Sequence, residues 1–430
     1  MADTSTVTTH GTATTVGAIF KEVYGEKIAE QTNRTAWIYN FFDKSTRRFG
    51  GKYWTVPAHF EGGQSIGSFD ENESMNGTQS EVVKEMQIKP KLHYALIMIT
   101  GLAMAASKSN LHAFVSAKDL EVKNKTKWLI SMLNANFYQQ GKGVLGTVLS
   151  YSNPTITVNR ADSRTKPTNM NWFRVGMRID VFTSISDFSA RLNYSTNVTA
   201  KGKGWKITTV NKAAGTIGLA IENGDALTAS VAVGNVICYE DAMIAPADSY
   251  GKHVTGLDML VDDGTNGPVT VQNISRTTYP DFKSTVLANA GTGRALSLDL
   301  MQQGIDAAEV ASGAVADFMI MGFGQRRNYL NLLWYDVRYG PQKLAGGFDV
   351  LKYNNLDVVV DKDCTDGRIY MGSQNSLKKY VVQPLGVLDQ SGEFERVTKT
   401  DTYEMMLGAY LNLGIEQPNS WTKIVDLIEP

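Results

Sequence analysis

Near its C-terminus the chain reads Tyr403-Glu404-Met405-Met406-Leu407-Gly408-Ala409-Tyr410-Leu411-Asn412-Leu413-Gly414-Ile415. Tyr403, Met405, Leu407, Ala409, Leu411, Leu413 and Ile415 are all apolar and recur with period two. Successive side chains of a strand point to opposite faces, so this pattern predicts one long strand with a buried face. It is the strongest strand signal in the sequence.

Residues 109–140 read instead as one long helix. Leu111, Val115, Val122, Leu129, Leu133 and Phe137 make an apolar stripe, interrupted at Lys118 and Thr126. Asp119 with Lys123, and Glu121 with Lys125, are acid-before-base pairs four residues apart, which support a helix. Gly141 and Gly143 stop it. At 1.5 Å per residue it would run roughly 48 Å, a strut across a flat, elongated molecule.

Before it, Tyr53, Thr55, Pro57 and His59 alternate with Trp54, Val56, Ala58 and Phe60. A second β-like run spans 82–100, with Met86, Ile88, Leu92, Tyr94 and Leu96. Between them, 61–80 is Gly, Ser, Asn and acid. The segment predicts a long hairpin with a flexible acidic tip carrying Glu61, Asp70, Glu71 and Glu73. A bare two-stranded hairpin is marginal in water, so this one should lie on its own domain or on a neighbouring subunit. Further upstream, residues 1–15 are Thr/Ser-rich, and the spacing over 16–43 predicts one or two amphipathic helices.

From about 144 to 245 short strands with Gly/Asn punctuation dominate, at 155–158, 177–182, 205–210, 216–220 and 236–239. That spacing predicts a small β-barrel or sandwich, inserted as a module. Helices over 298–312 and 325–334 with buried strands at 317–321 and 356–360 make a small α/β layer. The fold class is therefore α+β with an inserted small all-β domain.

The chain has 430 residues, with 42 basic against 43 acidic side chains and a net charge of −1. That balance argues against a dedicated nucleic-acid binder, which carries a basic stripe. Apolar residues at 43% and aromatics at 10% supply a packed core. Two cysteines, Cys238 and Cys364, exclude a disulfide framework and a cysteine-rich zinc site. No window of 18 apolar residues is present to cross a membrane, and the first residues carry no secretory pattern, so a reducing compartment is expected.

Three motifs that match chemical signatures fail on context. Gly63-Gln64-Ser65-Ile66-Gly67 matches a nucleophile elbow, but turn residues follow where a helix is required. Gly141-Lys142-Gly143-Val144-Leu145-Gly146 matches a dinucleotide fingerprint in reversed order, closing a helix instead of opening one. Asp361, Asp363 and Asp366-Gly367 resemble a calcium loop, yet glycine falls at position seven and Gly372 takes the place of the glutamate. The five histidines form no metal-ligand spacing. Lys118, Lys123, Lys125 and Lys127 read as a solvated helix face or as a partner-facing patch. No cofactor or metal is expected.

The order of parts resembles the major capsid proteins of tailed bacteriophages, the Hong Kong 97 fold family. The stretches that carry the likeness are Gly51-Lys52-Tyr53-Trp54-Thr55-Val56-Pro57 with 82–100, and Ile274-Ser275-Arg276-Thr277-Thr278-Tyr279-Pro280. To these are added Ala316-Asp317-Phe318-Met319-Ile320-Met321, Val358-Val359-Val360-Asp361-Lys362-Asp363, Asp366-Gly367-Arg368-Ile369-Tyr370 and Leu411-Asn412-Leu413-Gly414-Ile415-Glu416-Gln417-Pro418-Asn419. The resemblance covers nearly the whole chain except 150–245.

The resemblance implies an N-terminal arm at 1–50, an extended E-loop at 51–100 and the spine helix of the P-domain at 101–149. The inserted domain takes 150–245, a mainly A-domain segment 246–390, and the P-domain strand with the C-terminus 391–430. It implies a non-enzymatic shell subunit, assembled in the host cytoplasm into pentamers and hexamers of an icosahedral virion capsid. The implied partners are a separate scaffolding protein, a portal, a decoration protein and packaged double-stranded DNA, touched non-specifically on the inner face. The acidic tip would meet a neighbour's Lys118, Lys123, Lys125 and Lys127. Some family members join an E-loop lysine to a neighbour's asparagine. The tip has no lysine, so a non-covalent shell is expected. Two other functions compete: a decoration or tail protein binding host or glycan through the β domain, and a serine hydrolase at Ser65.

Overall fold

The computed structural model of the chain describes residues 36–61, 68–71, 80–102, 111–159, 168–184, 191–192, 204–220, 231–240, 251–265, 267–336, 351–354, 356–388 and 394–429. Most of the expected N-terminal helical stretch lies outside that set. Its described end is one short helix, α1 (Trp37–Phe41), followed by extended chain.

β1 (Trp54–Glu61) and β2 (Val82–Ile88) pair antiparallel, from Trp54 opposite Ile88 to Glu61 opposite Val82. The expected return strand over 82–100 is two strands. Pro90 carries no N–H to continue a ladder, and after it β3 (Lys91–Thr100) leaves the hairpin for another sheet. Trp54, Val56, Met86 and Ile88 are buried. Phe60 stacks near Tyr279 and Phe282, with centroids 4.6 and 6.0 Å apart, and Gln87 donates its N–H to the Gln272 carbonyl at 2.8 Å. The base of the hairpin therefore rests on its own chain.

α2 (Leu111–Asn136) is the expected long helix. Leu129 and Leu133 are buried, and Val122 is half-buried against Ile97, Met405 and Leu407. Gly141 and Gly143 end the turn after it at φ 75° and 73°, a region that favours glycine. Gly256 closes over the helix end. A Cβ there would collide with the carbonyl oxygens of Asn136, Phe137 and Gln139. Next to it, in α3 (Leu257–Leu260), the Leu257 N–H donates to the Phe137 carbonyl at 2.6 Å.

β4 (Val144–Ser152), β5 (Thr155–Val158), β6 (Arg178–Phe182), β7 (Trp205–Asn211), β8 (Thr216–Ala220) and β9 (Val236–Tyr239) close into a barrel in the order β4-β5-β8-β7-β6-β9. Trp205, Ile207, Ile217, Leu219 and Ile237 are buried, as their alternation predicts. The barrel begins at 144 and not at 150, because β4 pairs with both β5 and β9 and closure is impossible without it. Its interior is continuous with the main core, in one buried cluster with Leu133, Trp54 and Trp421. Between β5 and β6, Asn171 Nδ2 donates to the Lys362 carbonyl at 2.8 Å and Trp172 Nε1 to the Asp363 carbonyl at 3.0 Å, fastening the barrel to the body.

β10 (Thr270–Val271) and β11 (Ile274–Ser275) form a small ribbon. The α/β layer is built from β12 (Thr285–Leu287), α4 (Leu298–Ser312), β13 (Phe318–Met321), α5 (Phe323–Asp336), β14 (Leu351–Tyr353), β15 (Leu356–Val360) and β16 (Ile369–Gly372). Ser297 caps α4 by accepting from the Leu300 N–H at 3.1 Å, and Gly313 ends it at φ 68°. β13 shows the two-sided burial: Met319 and Met321 face α4 and α5, whereas Phe318 and Ile320 face the main core.

β17 (Leu377–Val387), β18 (Glu395–Arg396), β19 (Thr402–Ile415) and β20 (Trp421–Ile424) complete the chain. β19 is the long strand read from the sequence, and Met405, Leu407, Ala409, Leu411, Leu413 and Ile415 are buried. It pairs β17 and β18 on one side and β3 on the other. Strand pairing cuts across two expected boundaries. β17, inside 246–390, joins the sheet of β19, while β20, inside 391–430, enters the layer, whose order is β12-β20-β16-β13-β15-β14. A segment boundary in sequence cannot reveal such long-range pairing.

Candidate assembly surfaces

The β3–β19 sheet has unlike faces. One is covered by α2, through Val122 on Ile97, Met405 and Leu407. On the other, β3 turns Leu92, Tyr94 and Leu96 outward, and Met406 stands opposite Leu96 in register. All four are exposed, and Tyr94 meets the Tyr410 ring edge-on at 5.9 Å. Contiguous exposed apolar side chains of this kind mark contact surfaces.

Of the acidic tip residues, Glu61 ends β1, Asp70 and Glu71 are exposed, and Glu73 lies outside the described residues. All four lysines fall on α2, and Lys123, Lys125 and Lys127 are exposed. A helix turns roughly 100° per residue, so Lys123 and Lys127 share one side, and Lys118 and Lys125 another. They make two pairs and not a single basic face.

The candidate chemical motifs resolve otherwise. Ser65 lies outside the described residues. Gly141 to Gly146 closes a helix and enters β4, and no helix follows to hold a phosphate. In the acidic loop after β15, protein donors take both oxygens of Asp361 and one of Asp363, whose Oδ1 is buried without a hydrogen-bond donor. Asp361 accepts from Asn134 Nδ2 at 3.0 Å, Tyr138 Oη at 3.1 Å and the Asp363 N–H at 3.0 Å. Asp363 accepts from Asn134 Nδ2 at 2.8 Å and pairs with Lys362 at 2.5 Å. Burial pushes the Asp363 carboxyl above its ordinary value despite that lysine. The Asp366 N–H donates to the Thr168 carbonyl at 3.1 Å. The loop is thus a joint between α2, the barrel and the layer. Among the described residues no group of three or more acid, histidine or cysteine side chains is arranged to hold a metal ion.

Two buried polar centres escaped the sequence reading. His93 on β3 and His253 lie with ring centroids 6.4 Å apart, and the Tyr239 ring stacks on His253 at 5.1 Å. Burial, then His253 and Lys91, push His93 down to about 3; burial and Lys91 push His253 down to about 4. The second centre gathers Asp258, Asp262, Arg368 and Lys423 from α3, the segment just after it, the approach to β16, and β20. Lys423 Nζ lies 2.7 Å from Asp262 and 3.3 Å from Asp258, and Asp258 pairs with Arg368. No local spacing links residues so far apart in sequence.

No family model matches the chain, and no curated protein matches it in sequence. Solved structures do match. The capsid asymmetric unit of cyanophage A-1(L) is 12% identical, with 97% of this chain and 99% of that chain covered and a TM-score of 0.57. The capsid of an empty GTA particle is 10% identical over 96% and 97% of the two chains, with a TM-score of 0.47. The α+β architecture of this chain is the fold of a phage capsid subunit.

Proposed function

We propose that this chain is the major capsid protein of a tailed bacteriophage, a structural subunit that assembles in many copies around packaged double-stranded DNA. The observation that carries the reading is the end-to-end likeness to the cyanophage subunit, which takes in 97% of this chain and 99% of that one and not a single shared module. In this reading the β1–β2 hairpin is the E-loop. α2 is the spine helix of a P-domain that also holds β3, β17 and β19. The layer with α4 and α5 is the A-domain, and the barrel at 144–239 is an inserted domain of a Hong Kong 97-type fold. Pentamers and hexamers close an icosahedral shell with a separate scaffolding protein, a portal and a decoration protein, and the inner face touches DNA non-specifically.

The exposed strip of Leu92, Tyr94, Leu96 and Met406 suits contact with another copy. The acidic tip, Glu61, Asp70, Glu71 and Glu73, meets a neighbour's α2 through Lys123 with Lys127, or Lys118 with Lys125. Each exposed pair is worth only about 0.2–1 kcal/mol, but a shell repeats it in every subunit.

Negative-stain microscopy of the concentrated protein tests the reading. Closed polyhedral particles are expected, and a chain that stays monomeric at every concentration, with or without a scaffold, contradicts it. Boiled in detergent, particles should run as one band near 47.2 kDa. A ladder would refute the non-covalent shell.

A further inference from the structure

The chain enters α3 by way of residues 251–255, a strap held to three other elements. On β3, Lys91 Nζ donates to the Gly251 carbonyl. At the end of α2, Asn136 Nδ2 lies 3.3 Å from His253 Nδ1. On β19, Asn412 Oδ1 accepts from the Thr255 N–H at 2.9 Å, and Asn412 Nδ2 donates to the Lys89 carbonyl at 2.8 Å. The Tyr239 ring of β9 stacks on His253. The His253 and Val254 carbonyls lie over Gly141, where a Cβ would come within 3.4 and 3.1 Å of them.

His93 stands beside the strap, 5% exposed, with no hydrogen-bond partner at Nε2 and its ring centroid 6.4 Å from that of His253. Lys91 lies two residues before it on the same face of β3 and acts on both histidines, and Lys89 acts on Lys91. The other polar groups packed here are neutral: Asn136 and Gln139 from the end of α2, and Tyr239 from β9. Lys252 on the strap is exposed. Two acids near Tyr239 are engaged elsewhere. Glu240 turns to Arg178 and the Gly204 N–H, and Asp363, whose field reaches Tyr239 together with that of Arg174, is paired with Lys362. Protonated imidazoles would therefore join a lysine with no carboxylate to offset them among the described residues. The Asn136 amide can turn its unpartnered Oδ1 toward one new proton, but an amide does not neutralise a charge.

We infer that this cluster is an acid-sensitive latch: protonation of His93 and His253 frees the 251–255 strap from β3 and α2 while the barrel and the six-stranded layer stay folded. The strap is held by a few side-chain bonds and not by a ladder, so it opens at lower cost than a sheet. The latch belongs to the single subunit and is independent of the shell reading. Closed, the histidines hold off protons down to about 3 and about 4. Open, each titrates near its ordinary value of about 6.5. Going from pH 7 to pH 5 therefore favours the open strap by about 20-fold for each histidine, and by about 400-fold for the two together.

Hydrogen–deuterium exchange of the unassembled full chain at pH 7 and pH 5, with the intrinsic pH dependence of exchange removed, tests it. Protection of the Thr255 amide, which Asn412 holds in the closed strap, should fall by about two orders of magnitude or more, and that of the β13 amides by far less. His93→Gln or His253→Gln alone should reduce the fall to about 20-fold, and the two together should remove it. A Thr255 amide unprotected at pH 7, or equally protected at both pH values, would overturn the inference. So would an equal loss over β13, which reports global unfolding, or a fall that the histidine variants leave undiminished.

Discussion

Lys423→Met is expected to cost more stability than any surface change. The lysine stands on β20 with its ammonium enclosed, 2.7 Å from Asp262 and 3.3 Å from Asp258. Asp258 also pairs with Arg368 and accepts from Gln140 Nε2 at 2.7 Å, and Arg276 lies close by, donating to the Leu260 carbonyl at 2.7 Å. Three buried cations thus share two buried carboxylates. Methionine would leave Asp262 with the Gly264 N–H, at 2.8 Å, and the field of Arg276. Stripping one partner from a buried ion pair costs about 3–5 kcal/mol. The remaining donors place this case near the lower end, at about 3 kcal/mol. Adding Asp262→Leu removes the stranded charge and should return about 2 kcal/mol of that loss. Urea denaturation of the unassembled subunit at pH 7, followed by tryptophan fluorescence, gives the comparison. A single variant as stable as the parent, or a double variant no better than the single, would refute the reasoning.

Three other outcomes are expected. Leu129→Asp would bury an unpaired carboxylate beneath α2 and cost several kcal/mol on the order of 3–5; normal particle yield on a sucrose gradient would argue against that packing. With His93 held near 3 and His253 near 4, the folded state refuses protons that the unfolded chain accepts near 6.5. Their contribution is complete above about pH 6.5 and is lost as pH falls toward 4, so the urea midpoint should drop between pH 7 and pH 5, and by less in His93→Gln. Ser297→Ala removes the cap on α4 and should cost about 0.5–2 kcal/mol by the same denaturation assay.

The periodic elements were legible because each needs only local information. The period-two run at 403–415 became β19 with every predicted residue from Met405 to Ile415 buried and Tyr403 half-buried, the stripe of α2 has Leu129, Leu133 and Phe137 buried and Val122 half-buried, and the alternation at 205–220 buries Trp205, Ile207, Ile217 and Leu219. Pairing between distant segments was not legible. Nothing local announces that β3 leaves its hairpin for β19, although Pro90 marks where it does so, or that β20 returns to the layer. The acidic loop at 361–366 reads as an ion site because its carboxylates are closely spaced, and only the fold brings Asn134 and Tyr138 to donate to Asp361. Among surfaces, the sequence reading found the lysines of α2 but grouped them by proximity along the chain, where the helical turn divides them.

An electron cryomicroscopy reconstruction of assembled particles tests the central claim most directly. It should show a closed icosahedral shell in which every subunit position is filled by this chain's fold, with the long β19 strand, the α2 helix and the 144–239 barrel resolved in each copy. A map in which the chain forms only an appendage on a shell built from another protein, or in which it forms no shell, would contradict it.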